Sequence, residues 1–331
     1  MSVGRRVIIA DFINDDLATE REILAGVAEV EALDCLREEQ LWPRVDTADA
    51  IMLYHCLGVS RATIERLTQC KLIVRCGVGF DNVDRVFARQ RGIPVANVPD
   101  YGTEEVADSA IGMTLSLARG IHLYNSRLRD SRGDWMYTQA APVYRLRGRT
   151  FGIVGLGRIG AATAVRAKSL GMNVVFYDPF LPDGWDKAVG VRRVETLSEL
   201  LSISHVLSLH CPLTPETQHL MNAKTIAQMP RGSFLVNTAR GGVVDVNALP
   251  DALASGQLAG AGIDVLEQEP PIEDQPVLKA WRDPSHPAYD RLILNPHAAF
   301  YSQEGLQDMR VKGAHACRRA LLGESLRNIV N

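Results

Sequence analysis

The stretch Phe151-Gly-Ile-Val-Gly155-Leu-Gly157-Arg-Ile-Gly160 decides the fold of this 331-residue chain. An apolar strand runs into three glycines at the spacing of a strand-to-helix turn that binds a dinucleotide. Gly155 then forms the tight turn, Gly157 lets the backbone approach the pyrophosphate at the helix N-terminus, and Gly160 lets helix and strand pack closely. A second apolar run ends in Asp178, eighteen residues after Gly160. A carboxylate there suits the ribose hydroxyls of NAD and repels the 2′-phosphate of NADP.

The context of the glycines favours this interpretation over an ordinary glycine-rich turn. A helical stretch follows over residues 159–170, and Gly171 fits a helix C-cap. We therefore predict NAD as the cofactor.

Composition and charge exclude several other classes of protein. The formal net charge is −3, with 36 basic and 39 acidic residues spread along the chain, so no region predicts a nucleic-acid surface. Residues 7–10 are too short an apolar run for a signal peptide, and no run approaches a bilayer span, so we expect no membrane partner. The six cysteines have no CxxC or metal-ligand spacing. They indicate a reducing, cytoplasmic location and no metal site.

Apolar runs alternate with helix-like stretches along the whole chain, which is typical of βαβ units and parallel sheets. Helix-like stretches cover residues 16–28 and 60–69. The runs that predict strands are 7–10, 50–54, 72–74 and 94–96 before the glycines, and 174–177, 205–210, 233–237, 260–265 and 292–294 after them. Ligands of such sheets bind beyond the carboxyl ends of the strands, so polar residues that follow each run are the site candidates.

Residues 103–128 are predicted to form one long helix with Thr103 as its cap. Its apolar residues cannot share one face, so it must be buried nearly all round. Residues 130–147 lack periodicity yet include Trp135, Tyr137 and Tyr144. A second subunit could cover both segments, so we predict a homodimer. Burial between two domains of one chain would explain the helix alone equally well.

Three residues at predicted strand ends fit acid-base and anion chemistry. His297 carries an imidazole, a group whose reference pKa near 6.5 lets it give or take a hydroxyl proton. A carboxylate such as Glu269 would favour the imidazolium and fix the ring, and the Arg240 guanidinium can grip a substrate carboxylate. Taken singly, these residues could equally be a capping histidine, a loop acid and a surface cation.

At these residues the chain resembles the D-2-hydroxyacid dehydrogenase family over essentially its whole length. The matching motifs are Arg75-Cys-Gly-Val-Gly-Phe-Asp81-Asn82, Val106-Ala-Asp108, Val154-Gly-Leu-Gly-Arg-Ile-Gly160, His210-Cys-Pro-Leu-Thr214, Val236-Asn-Thr-Ala-Arg240-Gly-Gly, Asp264 with Glu269, and Pro296-His297-Ala-Ala. Within the family it is most similar to the C-terminal binding protein branch. That likeness comes from Arg75, Phe176-Tyr-Asp-Pro-Phe-Leu-Pro-Asp-Gly184, His297-Ala-Ala-Phe-Tyr301 and the ending Ser325-Leu-Arg-Asn-Ile-Val-Asn331.

The resemblance implies an α/β fold with two doubly wound parallel-sheet domains and the active site in the cleft between them. A flavodoxin-like substrate domain would comprise residues 1–102 and 299–331, and a Rossmann NAD domain residues 103–298. It also implies that Arg240 orients the substrate, that Glu269 partners His297, and that His297 is the acid-base group. The implied NAD contacts are Gly155, Leu156, Gly157, Arg158, Ile159, Gly160, Asp178, His210, Cys211, Pro212, Thr217, Thr238, Ala239, Arg240, Asp264 and His297; the implied substrate contacts are Arg75, Gly77, Val78, Gly79, Arg240, His297 and Phe300.

The expected function is an NAD-dependent oxidoreductase that interconverts small 2-hydroxy and 2-keto acids. The chain departs from the branch at Phe300, where tryptophan is usual, and at Val78, where the animal proteins have serine. Residues 270–290 also form a longer segment than is usual. Two alternatives stay open: an NAD(H)-sensing interaction module like the animal corepressors, and an enzyme acting on an oxyanion that is not a carboxylate.

Overall fold

The computed structural model describes residues 4–331 and divides into two compact units. The first contains the chain up to Gly102 together with Tyr301–Asn331, and the second is Thr103–Phe300. Each unit is built on one parallel sheet, which confirms the predicted α/β class.

The first unit has a five-stranded sheet in the order β2-β1-β3-β4-β5, the strand order of flavodoxin-like folds. Its strands are β1 (Arg6–Ile9), β2 (Glu29–Ala32), β3 (Ala50–Leu53), β4 (Ile73–Arg75) and β5 (Val95–Asn97). Its helices are α1 (Ala18–Leu24), α2 (Trp42–Val45), α3 (Arg61–Arg66), α4 (Arg85–Gln90) and, from the end of the chain, α14 (Gln303–Leu322). Arg310 of α14 donates to the buried Glu20 of α1 at 2.6 Å, which ties the last helix to the first.

The second unit has a seven-stranded sheet in the order β12-β11-β10-β9-β6-β7-β8, a Rossmann order with one further strand. Its strands are β6 (Thr150–Val154), β7 (Asn173–Tyr177), β8 (Arg192–Arg193), β9 (Val206–Leu209), β10 (Ser233–Asn237), β11 (Leu258–Ile263) and β12 (Leu292–Leu294). Its helices are α5 (Thr103–Arg119), α6 (Ile121–Arg129), α7 (Arg158–Ser169), α8 (Trp185–Val189), α9 (Leu197–Ile203), α10 (Ala223–Ile226), α11 (Leu249–Ala254), α12 (Pro276–Arg282) and α13 (Ala288–Arg291).

Two strands, β2 and β8, were not predicted from the sequence. Both lie at a sheet edge. Their sequences, Glu-Val-Glu-Ala and Arg-Arg, carry the charges that protect an edge from pairing with other chains. They therefore lack the apolar run that marked the inner strands.

Helix α5 is buried by its own unit. It packs against β10, β11 and α7, and a Cβ on Gly262 would lie 3.0 Å from the Met113 side chain. Only a narrow stripe that includes Glu104, Asp108 and Gly112 stays exposed. Burial within one chain therefore accounts for most of this helix.

The prediction of one helix over residues 103–128 is wrong, because the helix breaks at Gly120. Gly120 has φ +66°, and a Cβ there would lie 2.7 Å from the Ala140 side chain. The left-handed residue ends α5 and redirects the chain into α6. Ile121 directly follows this break and is 57% exposed, whereas the sequence predicted that the whole helix would be buried nearly all round.

Residues 130–147 are mostly irregular and keep large apolar side chains in solvent. Trp135 is 85% and Tyr137 75% exposed, and Met136 and Tyr144 are exposed as well. The long segment 270–290, by contrast, holds α12 and leads into α13, whose Asp290 accepts from Arg127 of α6 at 2.7 Å. Within residues 4–331 no helix combines the length and the apolar character needed to cross a membrane.

Candidate active site

The glycine loop joins β6 to α7 in the second unit. A Cβ on Gly155, which has φ +86°, would lie 2.9 Å from the backbone nitrogen of Cys211, so only glycine lets the ends of β6 and β9 come this close. Gly157 precedes the helix without a side-chain cap, and no atom lies within 4 Å of its Cβ position. The first turn of α7 therefore presents backbone N–H groups to open space, which suits a pyrophosphate. Leu156 lies inside the loop, and Arg158, Ile159 and Gly160 form the first turn of α7.

Asp178 directly follows β7 and is held by the glycine loop. Its Oδ2 accepts from the Leu156 N–H at 3.0 Å and its Oδ1 from the Phe180 N–H at 3.0 Å. The carboxylate is half-buried and stands beside the loop that would hold a dinucleotide.

His210 and Cys211 directly follow β9, and burial shifts the pKa of each side chain. Burial lowers the pKa of His210 to about 3 and raises the pKa of the Cys211 thiol to about 11. Thr217 donates to the carbonyl of Pro212 at 2.7 Å, which fixes the turn. At neutral pH the segment therefore offers a neutral imidazole and a protonated thiol.

Asn237, which the sequence did not single out for a role, shapes the turn that carries Arg240. It is fully buried at the end of β10; its Nδ2 donates to the carbonyl of Arg240 at 2.9 Å and its Oδ1 accepts from the Ala239 N–H at 3.0 Å. An Asx turn of this kind is visible in the sequence only as an asparagine after an apolar run.

Two features beside this turn bear on ligand binding. The hydroxyl of Thr238 is buried and has no hydrogen-bond partner among residues 4–331, so it can serve a bound group. A Cβ on Gly241 would lie 1.9 Å from the backbone carbon of Leu266. The Arg240 turn is thus packed directly against the loop that follows β11.

That loop carries Glu269, whose carboxylate meets His297. The Oε2 of Glu269 lies 2.6 Å from Nδ1 of His297, and Oε1 accepts from the Leu266 N–H at 2.8 Å. The side chains are 34% and 21% exposed, respectively. The structure therefore brings together the two residues proposed as an acid-base pair.

Asp264 anchors the segment on which His297 lies. It is buried and accepts from the N–H groups of Ala298 at 2.9 Å and Ala299 at 3.1 Å, and its carbonyl accepts from the His297 N–H at 2.8 Å. Burial raises the pKa of Asp264, and these N–H groups oppose that shift. Phe300 follows on the same segment, with its ring 6.0 Å from the imidazole, edge to face.

Arg75 and the loop after it belong to the first unit. Arg75 ends β4 and is 6% exposed, and its guanidinium covers Gly77, where a Cβ would lie 1.5 Å from Nη1. The carbonyl of Val78 accepts from Nδ2 of Asn97 at 2.7 Å. Val78 and Gly79 are half-buried, so this loop offers backbone groups at the carboxyl edge of the sheet.

Residues 4–331 contain no group of three or more histidine, cysteine or acidic side chains that could hold a metal ion.

Comparison with known proteins places the chain in a family. Residues 111–299 match the family described as "D-isomer specific 2-hydroxyacid dehydrogenase, NAD binding domain". The chain belongs to this family.

Two curated relatives match the chain along nearly its whole length. It is 35% identical over 98% of its length to a D-3-phosphoglycerate dehydrogenase of Methanocaldococcus jannaschii, of which it covers 59%. It is 32% identical over 96% of its length to C-terminal-binding protein 1 of Caenorhabditis elegans, of which it covers 44%. The chain thus spans about half the length of these curated relatives.

A solved structure supports the same assignment along the whole chain. The D-lactate dehydrogenase of Aquifex aeolicus, complexed with NAD and lactic acid, superposes with a TM-score of 0.84 at 27% identity, covering 96% of each chain. One curated relative is a D-3-phosphoglycerate dehydrogenase and the other a C-terminal-binding protein, at similar identity. Membership of the C-terminal binding protein branch therefore stays a prediction.

Proposed function

We propose that this protein is an NAD-dependent D-2-hydroxyacid dehydrogenase that reduces a small 2-keto acid when NADH is supplied. The observation that carries the proposal is the His297–Glu269 pair at 2.6 Å. It lies at the carboxyl edge of the sheet whose strand β6 also leads into the glycine loop. Relatives that act on phosphoglycerate and bind lactic acid support this substrate class.

His297 is the proton donor in the direction of reduction. Nδ1 is engaged by Glu269, so the proton passes from Nε2 to the carbonyl oxygen of the substrate. Bound NADH supplies the hydride to substrate C2. The Glu269 carboxylate stabilises the imidazolium before transfer and fixes the plane of the ring. In oxidation the same imidazole, then neutral, takes the hydroxyl proton.

Arg240, Arg75 and Phe300 are the proposed substrate contacts. A guanidinium binds a carboxylate through paired hydrogen bonds, and Arg240 can also polarise the carbonyl to be reduced. The backbone of Gly77, Val78 and Gly79 would receive the carboxylate beside Arg75. Phe300, edge-on to the imidazole, would form an apolar wall.

NAD is the proposed cofactor rather than NADP. Asp178 stands beside the glycine loop, and its charge would oppose a 2′-phosphate. Thr238 has a buried hydroxyl to give to the bound group, and the neutral His210 and Cys211 would put no charge beside the bound cofactor.

We further propose a homodimer, in which the exposed aromatic side chains of residues 130–147 contact a second copy. Trp135, Met136 and Tyr137 are consecutive and exposed, which is unusual on a surface that contacts only water. All six cysteines are free thiols, which supports a reducing, cytoplasmic location.

A screen of 2-keto acids tests the proposal. NADH oxidation is followed by absorbance for glyoxylate, pyruvate and bulkier 2-keto acids, with His297→Ala as the control. We expect at least one substrate for which the wild type far exceeds the variant. If the wild type turned over none of these 2-keto acids faster than His297→Ala does, the result would favour the NAD(H)-sensing interaction module. Turnover of an oxyanion that lacks a carboxylate would favour an enzyme that acts on such a substrate.

A further inference from the structure

The loop of residues 54–57, which follows β3 in the first unit, is held by a buried carboxylate from another strand. Asp11 lies two residues after β1 and is fully buried. Its Oδ1 accepts from the Tyr54 N–H at 2.6 Å, and its Oδ2 accepts from the Cys56 N–H at 2.8 Å. Both carboxylate oxygens are therefore used to hold one short loop.

Asn82 also holds this loop. Its Nδ2 donates to the carbonyls of Tyr54 at 3.0 Å and Leu57 at 2.8 Å. Asn82 ends the segment that begins at Arg75 and contains residues 77–79. Hydrogen bonds thus run from the end of β1, through residues 54–57, to the loop of residues 77–79, whose Val78 is bonded in turn to Asn97 of β5.

The chemistry of Asp11 suits this position although burial opposes its charge. Burial raises the pKa of Asp11, while the N–H groups of the loop and the charge of Arg75 favour the ionised form. Only a carboxylate offers two acceptor oxygens side by side, whereas asparagine would present an NH₂ group to one of the two N–H donors. The residue is therefore matched to the loop that it binds.

We propose that Asp11, together with Asn82, is a positioning residue for substrate binding: it fixes residues 54–57 against the loop of residues 77–79, which receives the substrate carboxylate. The inference rests on the proposed function. It gives Asp11 no contact with the reacting atoms, so its effect falls on substrate binding rather than on proton or hydride transfer.

The chain provides a matched control at the opposite edge of the same sheet. Asp49 directly precedes β3, is 9% exposed, and accepts from the Arg6 N–H at 2.9 Å through its Oδ2. Asp11→Asn and Asp49→Asn thus make the same chemical change in buried aspartates at opposite edges of this sheet. Only Asp11 lies at the carboxyl edge.

Steady-state kinetics with the best 2-keto acid test the proposal. We expect Asp11→Asn to raise KM about tenfold, the order expected when one buried donor loses its acceptor. We expect kcat to stay within about threefold of wild type, with NADH affinity unchanged. Asp49→Asn should leave KM unchanged. An unchanged KM in a folded Asp11→Asn protein, or an equal rise in Asp49→Asn, would overturn the proposal.

Asn82→Ala provides a second variant if Asp11→Asn does not fold, and it should also raise KM. The two KM effects should combine to less than their product, because both side chains act through one loop. Effects that simply multiply would count against a shared role.

Hydrogen exchange separates this inference from the proposed function. In Asp11→Asn, amide exchange should rise over residues 54–57 and also over residues 77–82, and in Asp49→Asn over neither. If the wild type reduces no 2-keto acid, the proposed function fails, and exchange still decides the role of Asp11. Unchanged exchange over residues 77–82 would refute the coupling.

Discussion

Replacing Gly241 by alanine should separate the two loops that carry Arg240 and Glu269. A Cβ at this position would lie 1.9 Å from the backbone carbon and 2.1 Å from the carbonyl oxygen of Leu266. Carbon atoms in contact lie about 3.5 Å apart, so one of the two loops must move by about 1.5 Å. The obstacle is backbone on both sides, so no side-chain rotation relieves it.

The displacement should appear mainly in kcat. A misplacement of about 1 Å in catalytic geometry can reduce the rate about 100-fold, so we expect a loss of that order in Gly241→Ala. Stopped-flow and steady-state measurements of NADH oxidation give kcat, and NADH fluorescence gives cofactor affinity. The glycine loop and Asp178 follow other strands, whereas Thr238 lies on the displaced turn, so NADH affinity should fall, but by less than kcat.

Gly112→Ala is the control for this change. Gly112 lies on the exposed stripe of α5, and no atom lies within 4 Å of its Cβ position. Alanine should stabilise the helix by up to about 1 kcal/mol and leave kcat unchanged. If Gly241→Ala turned over within about threefold of wild type, loop spacing would not limit the rate.

Four further predictions concern single features of the proposed site. His297→Ala should lower kcat about 10²- to 10⁴-fold with NADH affinity nearly intact; a loss of only a few-fold would remove His297 from the mechanism. Glu269→Gln should move the alkaline limb of the reduction profile to lower pH, because a carboxylate favours the protonated imidazole that reduction requires; an unmoved pH profile would assign Glu269 another role. Asp178→Ser should lower the ratio of kcat/KM with NADH to kcat/KM with NADPH; equal kcat/KM with the two cofactors in the wild type would refute the role of Asp178. Light scattering should give about twice the chain mass of 36.3 kDa without NAD, and Trp135→Ser should weaken that dimer; a monomer that pairs only with NAD would support the sensing module.

The inner strands could be predicted because burial on both faces requires continuous apolar runs. The run 233–237 coincides with the inner strand β10, and the run 292–294 coincides with β12, an edge strand that is itself apolar. The edge strands β2 and β8 could not be predicted this way, since their stability comes from pairing with β1 and β7 rather than from their own apolar character. Gly120 was visible in the sequence, but a glycine inside a helical pattern ends the helix only where its neighbours require φ above zero.

Some residues of the candidate site could likewise be predicted from the sequence and others could not. Gly155 to Gly160 and Asp178 could be predicted, because the turn, the helix and the acid follow one another along the chain and obey local geometry. The roles of Asn237 and Asp11 could not be predicted. Asn237 acts through hydrogen bonds to the backbone of its own turn, and Asp11 acts through hydrogen bonds to the backbone that follows another strand. Nothing in the sequence alone distinguishes such an asparagine or aspartate from one that faces solvent.

The sequence by itself determined the alternation of strands and helices, the parallel sheets and the dinucleotide turn, because these depend on periodicity and on conformations available to glycine. Only the tertiary structure decided that α5 is covered by its own unit, that Trp135 and its neighbours face solvent, and that Glu269 lies 2.6 Å from His297. The physical reason is that contacts between residues 28 positions apart depend on how β11 and β12 pair and on the close packing of Gly241 against Leu266. Local sequence does not encode those distances.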